Sequence, residues 1–336
     1  MKKWMIGSRE SQLAVAQTNK VIDYINQNVP DASAEILTMK TTGDKLLNQR
    51  LENAGGKGLF VKELDAALLG RRTDLSVHSL KDLPVDIDER LPVIGFLESE
   101  DVSDALVLPE HCKAPKLQDP SLTWEEKRNI IMEIIDTHKP VGTSSRRREQ
   151  QFLQLFPECK TASVRGNVLT RLRKLEEGEY AALILASAGL KRLGLSQRIS
   201  YVFSIEQMIP AAGQGIIAVQ GRAGEDYDTL SPLFSEESRQ RALCERTVVK
   251  CLAGNCATPI GVYACPYKNV QTLEAGKFGG DLQQGLQIVG FYYNEETKRS
   301  AKCIVKTDSI SDDAICQAAS ELSRKLKEGT ETEWSR

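Results

Sequence analysis

From the N-terminus to about residue 232, the chain alternates between short apolar runs of strand length and longer segments with apolar residues at helical spacing. This alternation predicts parallel sheets covered by helices. Residues 3–7 read as a strand, and Ala14, Thr18, Val21, Ile22, Ile25 and Val29 then share one helical face. Further strands are expected at Ala34 to Lys40, Leu75 to His78, Val93 to Leu97, Ala105 to Leu108, Ala162 to Val164 and Ala181 to Ala186, with one ending at Val141-Gly142. Helices are expected at Val61 to Leu69, stopped by Gly70, from the 142–148 loop through Phe156, and at Asn167 to Leu175. A polar stretch, Glu110 to Lys139, interrupts the pattern with one helix from Thr123 to about Asp136. After residue 232 a helix (Glu236 to Leu252), alternating strands with short turns and a last helix (Ser311 to Lys327) describe an α+β unit, and residues 328–336 read as a frayed polar end.

With 336 residues, 41% of them hydrophobic and 27% charged, the chain has material for two or three domains with full cores. A net charge of -2 gives no overall field to attract nucleic acid or an anionic membrane. The N-terminal Met1-Lys-Lys-Trp-Met-Ile-Gly7 is too short for a signal-peptide core, and the longest apolar run, Tyr180 to Leu190, is about half a membrane span. The expected setting is the cytoplasm, where the eight cysteines stay thiols. Cys244, Cys251, Cys256 and Cys265 cluster in sequence, but their intervening spacings of six, four and eight do not match paired zinc ligands, and no metal is expected. Most of these thiols read as small buried hydrophobes.

In open α/β sheets ligands bind beyond the carboxyl ends of the strands. One such loop is Gly142-Thr-Ser-Ser145-Arg-Arg-Arg148, where hydroxyls, the N–H groups of a helix start and arginines suit an anion. Residues 142–175 hold eight Lys and Arg against two Glu. Gly55-Gly-Lys-Gly58 lacks the hydroxyl residue of a phosphate-binding P-loop. The basic segment also lacks the interleaved aromatic platforms of a nucleic-acid surface, which leaves a compact polycarboxylate as the better fit. Another strand ends at His78-Ser-Leu-Lys81-Asp82. His78 and Ser79 project to opposite faces, so a Ser/His/Asp triad is not expected there. Asp82 beside Lys81 can protonate a leaving group or offset a cation, or else serve as a helix cap or surface ion pair.

Several segments, taken together, resemble one family. They are Thr41-Thr-Gly-Asp44, Gly55-Gly-Lys-Gly-Leu-Phe-Val-Lys-Glu-Leu64, Val77-His-Ser-Leu-Lys-Asp-Leu-Pro84, Gly142-Thr-Ser-Ser145 with Arg147-Arg148, Arg165-Gly-Asn167, Leu190-Lys-Arg-Leu-Gly194, Pro210-Ala-Ala-Gly-Gln-Gly215 and Gly254-Asn-Cys256 with Pro259-Ile-Gly261. In this order they resemble the porphobilinogen deaminase (hydroxymethylbilane synthase) family, from about residue 4 to 265. The resemblance implies two α/β domains like those of periplasmic binding proteins, hinged around a cleft, and a C-terminal α+β domain carrying the cofactor cysteine. The expected bounds are 1–98 with 216–232, then 99–215, then 233–336.

The resemblance also implies a transferase that joins four porphobilinogen molecules head to tail and releases four ammonias. Its primer is a dipyrromethane cofactor, held by a thioether to Cys256. Asp82 would be the catalytic carboxylate, assisting ammonia loss and stabilising cationic pyrrole intermediates. Lys57, Ser79, Lys81, Thr143, Ser145, Arg147, Arg148, Gly166 and Gln214 would hold the cofactor, and Arg9, Ser11, Arg165, Arg171 and Arg192 the substrate. The protein would be a monomer with a small-molecule substrate and neither nucleic acid nor membrane as partner. The sequence departs from the family pattern at Asn53, Ser99, Ser103, Arg146, Asn255, Ala257 and Thr258, and residues 110–139 are longer than is typical. Two other classes compete. An anion-binding module would keep the cleft without the chemistry, and retention of both Asp82 and Cys256 argues against it. A nucleic-acid binder would show strong salt-dependent affinity.

Overall fold

The computed structural model describes residues 2–45, 60–112, 114–255, 258–268 and 284–331. The first part of the chain runs β1 (Lys2–Arg9), α1 (Gln12–Asn28), β2 (Ala32–Met39), α2 (Thr42–Lys45), α3 (Lys62–Leu69), β3 (Leu75–Ser79) and β4 (Val93–Phe96). It continues through β5 (Asp104–Val107), α4 (Trp124–Ile134), β6 (Val141–Gly142), α5 (Arg146–Leu155), β7 (Thr161–Ala162), α6 (Val168–Glu176), β8 (Ala182–Ala186), α7 (Ser187–Arg192) and β9 (Tyr201–Val202). After β10 (Ile217–Gln220) come α8 (Glu236–Cys251), β11 (Ile260–Lys268), β12 (Gln284–Asn294), β13 (Arg299–Thr307) and α9 (Asp312–Glu331).

The strands form two five-stranded sheets, ordered β2-β1-β3-β10-β4 and β7-β6-β8-β5-β9, and a three-stranded antiparallel sheet, β11-β12-β13. The two larger sheets share one plan. In each, three parallel strands are followed by one antiparallel strand and then an edge strand. Both sheets are therefore mixed, where strand–helix alternation predicts parallel ones. The cause is chain routing. β5 enters the second sheet after the chain has crossed from the first, and β10 enters the first after it has crossed back, so each runs against its neighbours. The result is a pair of α/β units, each built on a mixed sheet, with a separate small α+β unit at the C-terminus.

Two crossings, residues 97–103 and 203–216, join the larger sheets. They are hydrogen-bonded to each other through Glu100 N to Gly215 O (3.1 Å) and Gln214 Nε2 to Val102 O (2.7 Å). Gly213 has φ +72, and a Cβ there would lie 2.6 Å from Leu80, so the tight path past Leu80 requires glycine.

α8 and α9 pack on one face of the third sheet, where Cys244, Val248, Val262, Ile288, Ile315 and Leu322 are buried together. Gly290 permits the approach of α9, since a Cβ there would meet Leu326 at 2.8 Å. α9 runs on to Glu331, past the end expected at Lys327, because Thr330 is buried and its carbonyl accepts from Thr297 Oγ1 (3.0 Å). Residues 332–336 lie outside the described residues. The Glu110–Lys139 stretch forms α4 as expected, with Thr123 and Glu126 closing a reciprocal capping box. Trp124 stacks edge-on against Phe156 at 5.7 Å, and Ile131 and Ile135 are buried beside Phe152 and Tyr201. This segment is therefore part of the second sheet's core. Ile131→Ala should lower stability by about 2–5 kcal/mol in urea unfolding. A loss well under 1 kcal/mol would show a loosely docked helix.

Candidate active site

β3 ends at Ser79 and tightens into a 3-10 turn, Leu80–Asp82. Leu80 is buried and its N–H donates to Ile216 O (3.0 Å), which anchors the turn on the second crossing. Asp82 is thereby exposed, and it makes no hydrogen bond or ion pair among the described residues. The cap and surface-pair alternatives for it are not realised there. Lys81 turns inward, and its Nζ donates to Gln214 Oε1 (3.3 Å). Burial pulls the Lys81 ammonium down to about 8, helped by repulsion from Arg148 and Arg147 and opposed by Asp82 and Asp104.

The 142–148 loop behaves differently from a simple anion cradle. Ser145 caps α5 by accepting from Arg148 N (3.4 Å), Thr143 Oγ1 accepts from Ser145 N (3.2 Å), and Ser144 Oγ donates to Val164 O. That last bond draws Val164 out of the strand expected at Ala162 to Val164. The hydroxyls thus shape the loop itself. Arg146 points away from this loop to Glu149 (3.0 Å) and to Glu295 in the turn after β12 (2.9 Å). Arg147 and Arg148 are buried and converge on Asp104, a residue the sequence reading did not select. Arg147 Nη1 donates to Asp104 Oδ2 (2.7 Å), and Arg148 Nε (2.9 Å) and Gln214 Nε2 (2.8 Å) donate to Oδ1. Burial alone would raise the Asp104 carboxyl, but the two guanidiniums overcome it and hold the group well below the usual carboxylate range. In sequence, Asp104 is one acidic residue before an apolar run and cannot be told from an exposed strand end.

Arg171 joins this cluster from α6. Its Nε donates to Gly166 O (2.8 Å), and Gly166, at φ +105, turns the chain into the helix that Asn167 caps. Burial and then repulsion from Arg148 and Arg165 bring Arg171 down to about 10, against the pull of Asp82. Lys81, Arg147, Arg148, Arg165 and Arg171 thus gather around the carboxylates Asp82 and Asp104. Cations held close against their own repulsion fit a ligand with several carboxylates, which is the chemistry of an acetate- and propionate-bearing dipyrromethane.

The remaining expected site residues are spread around this centre. Ser79 exchanges hydrogen bonds with Gln17 of α1 (2.8 Å), and Ser11 caps α1 by accepting from Ala14 N (3.3 Å). Arg9 lies over the Phe60 ring at 4.3 Å. Arg192 donates to Gly215 O (2.5 Å), so it grips the second crossing, and burial lowers its pKa. Lys57, Asn53, Cys256 and Ala257 lie outside the described residues. Asn255 and Thr258, between α8 and β11, are joined by Asn255 N to Thr258 Oγ1 (3.0 Å) and Thr258 N to Asn255 O (3.1 Å). The other seven cysteines are free thiols. Cys244 is fully buried, which pushes its thiol up, and Cys251 is exposed. Among the described residues, no cluster of His, Cys, Asp or Glu is suited to a metal, and no helix is long and apolar enough to cross a membrane. His78 is buried and brought down to about 4 mainly by burial, and Ser79 pairs with Gln17, so no triad forms. Amine labelling of ligand-free protein followed by peptide mass spectrometry should give Lys81 a reactivity midpoint near pH 8, as the ammonium loses its proton. A midpoint at the ordinary lysine value of about 10.4 would contradict the burial and repulsion described here.

Comparison with known proteins gives the family. A family model described as "Porphobilinogen deaminase, dipyromethane cofactor binding domain" matches residues 4–230. The porphobilinogen deaminase of Ruminiclostridium cellulolyticum is 45% identical over 302 residues, covering 90% of this chain and 91% of that protein. That of Ruminiclostridium josui is 47% identical over 299 residues, covering 88% and 89%. Among solved structures, the periplasmic aliphatic sulphonate binding protein SsuA from Escherichia coli matches at 10% identity with a TM-score of 0.35, over 75% of this chain and 70% of that one. The chain belongs to the porphobilinogen deaminase (hydroxymethylbilane synthase) family, transferases with a dipyrromethane cofactor.

Proposed function

We propose that this protein joins four porphobilinogen molecules head to tail, with release of four ammonias, on a dipyrromethane tethered by a thioether to Cys256. The observation that carries the reading is the exposed carboxylate of Asp82 beside the partly buried cations Lys81 and Arg171, with Arg148 and Arg165 close behind. When bound, the dipyrromethane supplies the pyrrole carbon at which the chain starts. Arg148, Arg165, Arg171 and Lys81 hold acetate and propionate groups through charge-assisted hydrogen bonds. Asp82 hydrogen-bonds or protonates the departing amine of porphobilinogen, and as an anion it offsets positive charge on the substrate ring nitrogen. Ser79, Thr143 and Ser145 keep the strand ends in place around the ligand. Arg9, Ser11 and Arg192 act toward the incoming substrate. We further propose domain bounds of 1–98 with 216–232, 99–215 and 233–336, a monomeric state and a cytoplasmic setting. Support for the bounds comes from the two crossings and from the separate third sheet.

Rate and intact mass, measured side by side, test the catalytic reading. Asp82→Asn keeps size and a hydrogen-bonding oxygen but removes charge, so it should lose at least about 10² in turnover. If supplied with preassembled cofactor, it should still carry the added dipyrromethane mass, and partly extended chains should accumulate. Cys256→Ser should lack that mass, whereas Cys251→Ser should keep it. Near-normal turnover in the asparagine variant without stalled species would remove Asp82 from catalysis, and added mass mapping to Cys251 would move the tether.

The basic cluster makes a separate prediction. Arg173 is exposed and pairs with Glu177 at 3.5 Å, away from the cluster that Arg171 joins. Arg171→Gln should impair cofactor loading or elongation by about tenfold or more, the equivalent of one well-formed charge-assisted contact. Arg173→Gln should stay within about twofold. Equal effects would indicate a diffuse basic surface.

A further inference from the structure

Asp104 is the anion around which the basic cluster is built, and the expected site residues did not include it. It is fully buried at the first position of β5, where the chain enters the second sheet. Each of its oxygens is claimed: Oδ2 by Arg147, Oδ1 by Arg148 and Gln214. Gln214 extends the contact, since its Oε1 accepts from Lys81 Nζ (3.3 Å) and Arg148 Nη2 (3.5 Å). One carboxylate thereby links three of the cations, two directly and one through a buried amide.

Both arginines are fixed on Asp104, in different ways. Arg147 spends Nη1 on Asp104 and on Ile209 O (2.7 Å), and its Nε is buried with no partner. Arg148 uses Nε (2.9 Å) and Nη2 (2.8 Å) on Asp104 Oδ1 and Nη1 on Ile184 O (3.0 Å). A guanidinium has five N–H donors in a rigid plane, so fixing one edge fixes the direction of the rest. Without Asp104, Arg147 and Arg148 would lose the carboxylate that pairs with both of them, and the low dielectric of the buried site makes their repulsion of each other and of Lys81 strong.

We infer that Asp104 is a positioning residue for cofactor capture: its carboxylate sets the Arg147 and Arg148 guanidiniums, and through Gln214 the Lys81 ammonium, in the arrangement that receives carboxylates. This rests on the proposed role of those cations. Asp104 acts through the arginines and the lysine, and it touches no reacting atom.

Asp104→Asn tests this, because asparagine keeps the shape, removes the charge and turns one acceptor into a donor facing N–H groups. Two readouts are compared for wild type, Asp104→Asn and Arg148→Gln. The first is the fraction of molecules carrying the dipyrromethane mass. The second is the pH midpoint of Lys81 labelling, taken in a Cys256→Ser background so that every variant is equally free of cofactor. Among the described residues, the charges that act on Lys81 include Arg148 and Arg147 from α5, Asp104 from β5 and Asp82 from its own turn, with Gln214 neutral on the crossing. Both variants should lose at least about tenfold in cofactor occupancy. Their Lys81 midpoints should move in opposite directions, below about 8 when the anion is lost and above it when a cation is lost. A purely structural disturbance would expose Lys81 and raise its midpoint in both. Wild-type occupancy in Asp104→Asn, or a raised Lys81 midpoint there, overturns the inference. Full occupancy in Arg148→Gln overturns the site reading beneath it. If Asp104→Asn does not fold, Asp104→Asn/Arg147→Gln removes a buried cation with the anion, and its Lys81 midpoint should lie below that of Arg147→Gln. An unchanged midpoint there also overturns the inference.

Discussion

Gln214 is the point on which all three sheet units converge. Its side chain meets Lys81 from the first sheet, Asp104 and Arg148 from the second, and Val102 O on the other crossing. Its backbone carbonyl accepts from Arg241 of α8, and Glu245 of the same helix accepts from Gly213 N (2.6 Å) and from Ala264 N of β11 (3.1 Å). The neutral amide is suited to this place because it donates to a carboxylate and accepts from cations at once. A charged side chain there would add an ion to a site that already holds several, and an apolar one would leave Asp104 and Lys81 each short of a partner.

Two buried ion clusters flank that residue, Asp104 with Arg147 and Arg148 on one side, and Arg241 with Glu245 (2.7 Å) on the other. Burying ions is costly unless their remaining hydrogen-bonding capacity is met. Both clusters meet most of it with backbone groups of the second crossing: Ile209 O for Arg147, Gln214 O for Arg241 and Gly213 N for Glu245. The same contacts tie the third unit, whose α8–β11 connection contains Cys256, to the segment that joins the two larger sheets. Ser99 Oγ accepts from Arg241 Nη1 (2.6 Å), so α8 supplies the cation beside that crossing.

Most elements were legible in sequence because their signals are local. The helix start at Thr123 and the Gly70 helix stop fell where the structure has them. Asp82, past a strand end, was legible as exposed chemistry. What escaped was whatever depended on distant partners. Val164 reads as a strand residue until Ser144, twenty positions away, takes its carbonyl. Nothing along the chain beside Arg147 and Arg148 shows that Asp104, from another strand, pairs with both.

The sequence by itself determined the strand–helix alternation, the basic character of residues 142–175, the family and the presence of Asp82 and Cys256. Periodicity, composition and contiguous motifs all reside in neighbouring residues. Only the tertiary structure decided that both larger sheets are mixed, that the 142–145 hydroxyls serve the backbone, and that one buried carboxylate organises the cations. Each of those outcomes depends on which distant segments meet when the chain crosses twice between its sheets. Burial then magnifies every charge brought together there, so contacts with no signature along the chain set the electrostatics of the site.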